Sequence, residues 1–192
     1  MLRCNLIGTI GNTPMVEIQH INPNKKVKLY AKLEWFNPTG SLKDRIAQYM
    51  IAKAEESGEL TKDKVILEAT SGNTGISLGM IARMKGYRLK VVMPENVSVE
   101  RRELLAAFGA EVILSDGSKG TNGAIQLAQE IGQDPKYFMP DQYSNPYNVL
   151  AHYETTGAEI IQDIPCVDVF IAGLGTGGTL MGAGRKLKER NP

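Results

Sequence analysis

The chain has 192 residues, 42% of them hydrophobic, and its 22 basic and 21 acidic residues leave a net charge of +1. This hydrophobic content is enough for one large or two small globular domains. The balanced charge predicts no nucleic-acid partner, and because the chain lacks an apolar leader and any apolar run of about 20 residues, we expect no signal peptide or membrane span.

The two cysteines, Cys4 and Cys166, lie far apart and show neither CxxC nor Cys/His spacing. We therefore predict no metal site and no disulfide framework. Free cysteines are typical of proteins in a reducing compartment, so the predicted localisation is cytoplasmic.

The first predicted elements lead into a helix that begins close to a lysine. Val27–Glu34 alternates apolar and polar residues, which is typical of a strand with one buried face. The stretch Asn37–Arg45, NPTGSLKDR, breaks this strand, and Ser41 can cap a helix whose apolar residues recur at helical spacing as far as Gly58. Lys43 is therefore predicted in the first helical turn.

A lysine in that position has a chemical consequence. The positive end of the helix dipole disfavours the ammonium of Lys43 and favours the neutral amine, which is the form that attacks carbonyl groups. From this stretch alone, a solvated surface lysine remains the alternative interpretation.

Strands and helices then alternate through the middle of the chain. The predicted strands are Val65–Ala69, Leu89–Met93, Ala110–Leu114 and Lys136–Met139, and the predicted helices are Ile76–Lys85, Val99–Phe108 and Asn122–Ile131. This alternation predicts a parallel, doubly wound sheet of the α/β class.

The last part of the chain begins with a polar, hinge-like segment, Asp141–Pro146, where we place a domain boundary. A long helix over Asn148–Ile161, a buried strand over Val167–Ala172 and a last helix over Leu180–Arg190 follow. Because no further strand follows in the sequence, the second domain is expected to be incomplete.

Two loops follow predicted strands, at the sheet edge where open parallel sheets bind ligands. The loop Gly173–Thr179 combines glycines with the hydroxyls of Thr176 and Thr179 at the start of a predicted helix. This combination predicts a phosphate site. The loop lacks the lysine of a Walker motif, and its match to the dinucleotide fingerprint lacks the acidic residue expected about 20 positions later. A purely structural glycine-rich turn remains the alternative for this loop.

The other loop, Thr70–Gly75, offers hydroxyls, an amide and backbone donors at a helix start, which suits a small carboxylate. Ser71 does not lie in a G-x-S-x-G elbow, and we interpret His20 and His152 as solvated or structural, so a catalytic triad is not favoured. A reactive lysine, a phosphate site and a carboxylate site together predict pyridoxal phosphate acting on an amino acid.

Five motifs in this order resemble the cysteine synthase family of pyridoxal-phosphate β-replacement enzymes, to which cystathionine β-synthase is related. They are NPTGSLKDR, EATSGNTGIS, MPENVSVERR, NPYNVLAHYETTGAEI and GLGTGGT. The resemblance covers the chain from about Ile7 to Arg190 and implies the type II fold of these enzymes, with two doubly wound sheet domains. It also implies a first, mobile domain over residues 41–145 and a second, larger domain formed by residues 1–40 and 146–192 and truncated at its C-terminal end.

The resemblance assigns a role to each matching residue. Lys43 matches the lysine that forms a Schiff base with the cofactor, and Asn73 matches the asparagine that hydrogen-bonds its phenolic oxygen. The phosphate loop is matched by Gly175, Thr176, Gly177, Gly178 and Thr179. The α-carboxylate of the substrate is expected at Thr70, Ser71, Thr74 and Gln142.

The implied reaction replaces the β-substituent of O-acetyl-L-serine, or a related β-substituted serine, with sulfide to give L-cysteine. Lys43 removes the Cα proton and later returns it. Family chains run well past Pro192, so we expect this chain to be a fragment that keeps the fold of the first domain but binds the cofactor weakly or not at all. A homodimer is also expected.

Three alternatives remain. A serine or threonine dehydratase would use the same lysine and phosphate loop, and activity with and without sulfide would separate it from a cysteine synthase. An NAD-dependent dehydrogenase would explain GLGTGG but would leave Lys43 and the TSGNTG loop without a role. A non-catalytic scaffold would bind the C-terminal peptide of a partner in its active-site cleft without turnover.

Overall fold

The computed structural model describes residues 2–192, which form two compact units. We call Ile46–Asn148 the central unit, and we call the residues up to Arg45 together with Val149–Pro192 the terminal unit. The predicted domain bounds, with 41–145 as the first domain, stay a prediction, because compactness in one conformation does not show that a unit folds or moves by itself.

The central unit is built on a parallel sheet of four strands in the order β5-β4-β3-β6. Its strands are β3 (Val65–Ala69), β4 (Arg88–Pro94), β5 (Ala110–Ser115) and β6 (Tyr137–Phe138). Its helices are α1 (Lys43–Glu56, of which the first three residues belong to the terminal unit), α2 (Asn73–Lys85), α3 (Val99–Ala107) and α4 (Gly120–Ile131), with a 3₁₀ turn at Gly117–Lys119. The predicted alternation of strands and helices is confirmed.

Helices cover both faces of this sheet. Ala124 and Ala128 of α4 pack with Leu67 and Val92 in one buried cluster. Val91 points to the opposite face, because successive side chains of a strand alternate, and there a Cβ added at Gly75 of α2 would lie 3.7 Å from the Val91 side chain. Burial on both faces explains why β3 is apolar along its length except at Glu68.

The terminal unit contains a two-stranded antiparallel sheet and a group of helices. The strands are β1 (Met15–Glu17) and β2 (Tyr30–Lys32), paired with Val16 opposite Ala31. The helical elements are 3₁₀ turns at Ile7–Thr9 and Glu34–Phe36, α5 (Pro146–Ala151, which starts in the central unit), a π-helical turn at His152–Thr156, α6 (Gly157–Asp163) and α7 (Gly178–Arg190). Ile160, Ala183 and Leu187 form its buried apolar cluster.

Three predicted elements need correction. The strand predicted over Val167–Ala172 is not regular structure, and Ile171 in it is 82% exposed, because no neighbouring strand among residues 2–192 offers it a hydrogen-bond ladder. The strand predicted over Val27–Glu34 is reduced to Tyr30–Lys32, since the strand that pairs with it among residues 2–192, β1, has three residues. The helix predicted over Asn148–Ile161 starts at Pro146 and contains the π-helical turn.

Along residues 2–192, no helix has the length and apolar character needed to cross a membrane.

Candidate active site

Lys43 is the first residue of α1, so its predicted place in the first helical turn is confirmed. Its backbone N–H lies 3.2 Å from the hydroxyl of Ser41, the predicted cap. The side chain is half-buried, and this burial lowers the pKa of the Lys43 amine. The structure therefore favours the neutral, nucleophilic form of the amine more than a solvated position would.

The residue after Lys43 holds the preceding turn in place. Asp44 is fully buried, and its carboxylate accepts hydrogen bonds from the backbone N–H of Thr39, at 2.8 Å, and from the Thr39 hydroxyl. An acidic side chain in the first turn also interacts favourably with the helix dipole. The NPTG turn and the start of α1 are thus joined by side-chain contacts next to the lysine.

The glycine-rich loop ends at the N terminus of α7. Gly177 has a φ of +81°, a left-handed conformation that favours glycine, and α7 begins at the next residue. No acidic residue lies in the first turn of α7, and the Thr176 hydroxyl lies 3.5 Å from the N–H of Gly178. Backbone N–H groups and hydroxyls at the positive end of a 13-residue helix form a donor set that fits a phosphate group.

His152 connects this loop to the region of Lys43. Its Nε2 lies 3.3 Å from the Thr179 hydroxyl. Burial, together with the positive charges of Arg45 and Lys43, lowers the pKa of His152 to about 4, against an opposing effect of Glu34. Lys43 is therefore close enough to act electrostatically on a side chain that touches the predicted phosphate loop.

In the central unit, the predicted carboxylate site lies at the switch point of the sheet. The chain runs from β3 to β4 and β5 on one side, whereas β6 pairs with β3 on the other side. The loops after β3 and β6 therefore meet, and the Thr74 hydroxyl donates a 2.7 Å hydrogen bond to Oε1 of Gln142. Such crevices bind ligands in open α/β sheets.

The remaining predicted residues of this site lie in the same loop. The Thr70 hydroxyl accepts a hydrogen bond from the Gly72 N–H at 3.2 Å, and the Ser71 carbonyl accepts one from Arg101 at 3.2 Å. Asn73 is the exposed first residue of α2. The donors predicted to bind a carboxylate thus surround the N terminus of this helix.

Glu68 hydrogen-bonds the backbone of the loop that contains Gln142. It is 2% exposed, and its carboxylate accepts hydrogen bonds from the backbone N–H groups of Asp141, at 2.9 Å, and Gln142, at 3.3 Å. Burial raises the pKa of Glu68 to about 7, although both N–H donors oppose the increase. The sequence offered one signal for this role, an acidic residue inside an otherwise apolar strand.

The predicted residues fall into two groups. Lys43 and Gly175–Thr179 belong to the terminal unit, whereas Thr70, Ser71, Asn73, Thr74 and Gln142 belong to the central unit. His152 was predicted to be structural or solvated, and its contact with the phosphate loop has no signal in the sequence. Across residues 2–192, no group of three or more histidine, cysteine or acidic side chains is placed to hold a metal ion.

Comparison with known proteins gives consistent matches. A family model described as pyridoxal-phosphate dependent enzyme matches residues 6–192. A cysteine synthase of a Flavobacterium species is 49% identical over 190 residues, which cover 98% of this chain and 62% of the relative. A solved cysteine synthase from Entamoeba histolytica has a TM-score of 0.94 at 40% identity, covering 100% of this chain and 58% of that one.

A second solved structure carries a different description. A hydrogen sulfide-producing enzyme from Fusobacterium nucleatum has a TM-score of 0.94 at 49% identity, covering 100% of this chain and 63% of that one. This chain thus spans about three fifths of the length of the relatives it matches. The matches confirm the predicted α/β class and type II fold.

Proposed function

The chain belongs to the family of pyridoxal-phosphate dependent enzymes, and from this membership we propose that it carries the lysine, phosphate loop and carboxylate site of a cysteine synthase. The proposed reaction replaces the β-substituent of O-acetyl-L-serine, or of a related β-substituted serine, with sulfide. The single observation that supports it best is the half-buried Lys43, with a lowered pKa, in the unit that also contains Gly175–Thr179.

The donor set at the start of α7 fits the phosphate group of the cofactor. The residues that would hold this phosphate are Gly175, Thr176, Gly177, Gly178 and Thr179. Lys43 would be the covalent attachment point of the cofactor, and Asn73 would donate a hydrogen bond to its phenolic oxygen. When bound, pyridoxal phosphate supplies an electron sink that stabilises negative charge at the substrate Cα.

The chain's own residues bind the substrate and move the proton. Thr70, Ser71, Thr74 and Gln142 orient the α-carboxylate through hydroxyl, amide and backbone donors. The amine of Lys43 takes the proton from Cα, and its lowered pKa keeps a larger share of the amine neutral and able to do so. The same amine returns the proton after sulfide has added at Cβ.

A second candidate is suggested by the Fusobacterium nucleatum enzyme, whose description names sulfide as a product. Loss of sulfide from cysteine would use the same lysine and carboxylate site. Product analysis separates the candidates: cysteine formed from O-acetyl-L-serine and sulfide supports the synthase, whereas sulfide released from cysteine alone supports the second candidate. Keto-acid formed from serine or threonine without sulfide would support a dehydratase instead.

The first test is cofactor retention. The purified chain is mixed with pyridoxal phosphate, freed of excess by gel filtration, and its visible absorbance is compared with that of Lys43→Ala. The matched control is Lys53→Ala, on the same helix, where the lysine forms a partly exposed ion pair with Glu56. The sequence led us to expect weak or absent cofactor binding, but the half-buried Lys43 and the donor set at the start of α7 favour retention. We therefore expect the parent and Lys53→Ala to retain the visible band and Lys43→Ala to lose it. A visible band of equal intensity in all three chains would contradict the role of Lys43, and no band in any of them would contradict cofactor retention by this chain.

We further propose, from the resemblance alone, that the whole enzyme is a cytoplasmic homodimer whose cleft accepts the C-terminal peptide of a partner. Light scattering after size exclusion tests the dimer. A peptide that inhibits turnover in competition with O-acetyl-L-serine would support the partner, and a peptide that binds without affecting turnover would contradict it.

A further inference from the structure

The imidazole of His152 has a hydroxyl group at each ring nitrogen. The side chain is 1% exposed, its Nδ1 lies 2.9 Å from the Thr156 hydroxyl, and its Nε2 lies 3.3 Å from the Thr179 hydroxyl. His152 is the first residue of the π-helical turn and Thr179 is the second residue of α7. The ring therefore bridges a local irregularity in the helix, a feature frequent at functional sites, to the predicted phosphate loop.

The ring is neutral at physiological pH. Burial lowers the pKa of His152 to about 4, and the positive charges of Arg45 and Lys43 oppose its protonation further, while Glu34 acts in the other direction. A neutral imidazole has one N–H donor and one acceptor nitrogen. Each neighbouring hydroxyl must therefore take the complementary role at its own nitrogen.

Two arrangements satisfy both hydrogen bonds. In the first, Nδ1–H donates to Thr156 and the Thr179 hydroxyl donates to Nε2, so the Thr179 proton points back at the ring. In the second, the Thr156 hydroxyl donates to Nδ1 and Nε2–H donates to Thr179, which leaves the Thr179 proton available to another acceptor. Only the second presents a donor to an anion at the start of α7.

We propose that His152 is a positioning residue for phosphate recognition, which donates Nε2–H to Thr179 Oγ1 so that the Thr179 hydroxyl proton is directed to a phosphate oxygen. This inference deepens the proposed function and rests on it, because the phosphate is that of the cofactor. Thr156 completes the chain of hydrogen bonds by donating to Nδ1.

The packing of α7 keeps Thr179 close to the imidazole of His152. A Cβ added at Gly182 would lie 2.2 Å from the carbonyl oxygen of Val149 and 2.8 Å from Cβ of His152. Only a glycine lets α7 approach the backbone of Val149 and Tyr153, on either side of His152, this closely. The close packing therefore keeps the start of α7, and with it Thr179, beside the His152 side chain.

The tautomer is measured directly on the chain without cofactor. His20 and His152 are the two histidines of the sequence, and His20 is exposed, so two-bond ¹H–¹⁵N spectra of a histidine-labelled chain need only a His20→Gln variant for assignment. We expect His152 to show a protonated Nε2 and an unprotonated Nδ1 from pH 6 to pH 8. A protonated Nδ1 in this range would overturn the proposal, whatever the chain binds.

The link to phosphate is measured with pyridoxine 5′-phosphate, which lacks the aldehyde and so binds without reacting with Lys43. We expect His152→Leu to weaken its binding about tenfold, the effect of one lost hydrogen bond to a charged group, and His152→Gln to restore most of the affinity through its amide N–H. In a Thr179→Val background, His152→Leu should cause little further loss, since the two residues act through one hydrogen bond.

If His152→Leu lowers the affinity for pyridoxine 5′-phosphate equally with and without the Thr179 hydroxyl, the proposal is overturned, because the loss would be an effect of packing alone.

The proposed function and the proposed role of His152 also fail differently. A parent chain that shows the expected tautomer but binds no pyridoxine 5′-phosphate contradicts the proposed function and the phosphate role of His152. A parent chain that binds the ligand and shows the other tautomer contradicts only the role of His152.

Discussion

Arg45 and Glu159, which are 114 residues apart, share two parallel hydrogen bonds, from Nη1 to Oε1 at 2.6 Å and from Nη2 to Oε2 at 2.8 Å. The same guanidinium reaches Glu34 through Nε at 2.7 Å, and Lys32 pairs with Glu159 at 2.9 Å. Burial opposes ionisation of Glu159, but the hydrogen bonds from Arg45 and Lys32 lower its pKa to about 2. This network joins α6 to the start of α1, two residues after Lys43.

Replacing Arg45 with methionine is expected to destabilise the chain strongly. The Arg45 side chain is 1% exposed, so its removal leaves two carboxylates without their buried partner, a change that costs about 3–5 kcal/mol in the free energy of unfolding. Urea denaturation of Arg45→Met against the parent measures it.

The control is Arg185→Met, which breaks an exposed pair with Glu189 in which the arginine side chain is 68% exposed. We expect this change to cost much less than Arg45→Met does, because an ion pair at the surface is solvated and screened by salt. Equal losses in the two variants would show that the buried network adds nothing beyond a surface ion pair.

The glycines of α7 allow a second prediction on matched positions. A Cβ at Gly182 would meet the carbonyl oxygen of Val149 in α5 and the backbone nitrogen of Tyr153 in the π-helical turn, whereas a Cβ at Gly184 would meet Phe170 Cδ1 at an ordinary 3.7 Å. We expect Gly182→Ala to lower the melting temperature and weaken phosphate binding, because α7 must move away from His152. Gly184→Ala should be neutral or stabilising by about 0.5–1 kcal/mol, the helix preference of alanine over glycine.

Thermal unfolding measures the melting temperatures of both variants, and titration with pyridoxine 5′-phosphate measures their affinity for phosphate. A Gly182→Ala chain with the melting temperature and affinity of the parent would mean that the close approach of α7 is not required.

Much of the fold was predictable from the sequence wherever the local composition of a segment reveals whether it forms a buried strand or the start of a helix. The fully buried β3 has the apolar composition of a central parallel strand, and the glycine-rich loop before α7 marks a helix start. The strand predicted over Val167–Ala172 failed because a strand also needs a partner, which local composition cannot supply.

The supporting residues of the site were not predictable for a related reason. Glu68 meets Asp141 and Gln142 more than 70 residues later, and His152 meets Thr179 27 residues later. Whether a buried polar residue is structural or positions a ligand-binding group depends on which partner the fold brings to it. The roles of Lys43 and Gln142 stay predictions until ligands are tested.

Thr74 offers a test of the carboxylate site. Thr74→Val keeps the shape of the side chain but removes the hydroxyl that donates to Gln142 Oε1 at 2.7 Å, so the amide loses its orientation. We expect the KM for O-acetyl-L-serine to rise about tenfold, the effect of one misplaced hydrogen bond to a carboxylate, with a smaller change in kcat. Substrate titration followed by cofactor absorbance measures the same change without turnover.

Thr74→Ser retains the hydroxyl and should keep most of the affinity, and Thr121→Val, at an exposed position of α4, should behave as the parent does. If Thr74→Ser loses as much affinity as Thr74→Val, the packing of the methyl group and not the hydroxyl would be the cause.

Glu68 makes the stability of the chain depend on pH in a defined direction. Its pKa is raised by burial to about 7 from an ordinary 4.5, so between these values the folded chain retains a proton that the unfolded chain has lost. The free energy of unfolding therefore falls as pH rises through this range, by up to about 1.4 kcal/mol per pH unit, and the decline ends above pH 7.

Glu68→Gln removes this titration while keeping the shape of the side chain. His152 also makes stability depend on pH, in the opposite direction, because its pKa is lowered from 6.5 to about 4. The quantity to compare is therefore the difference in the free energy of unfolding between the parent and Glu68→Gln at each pH. We expect the parent's stability relative to Glu68→Gln to fall by up to about 3 kcal/mol between pH 5 and pH 8. The control is Glu111→Gln, which breaks an exposed ion pair with Lys90 in which the glutamate side chain is 62% exposed, and which should destabilise the chain only slightly. A difference that stays constant across this range would mean that Glu68 is ionised throughout, held in that state by the N–H groups of Asp141 and Gln142.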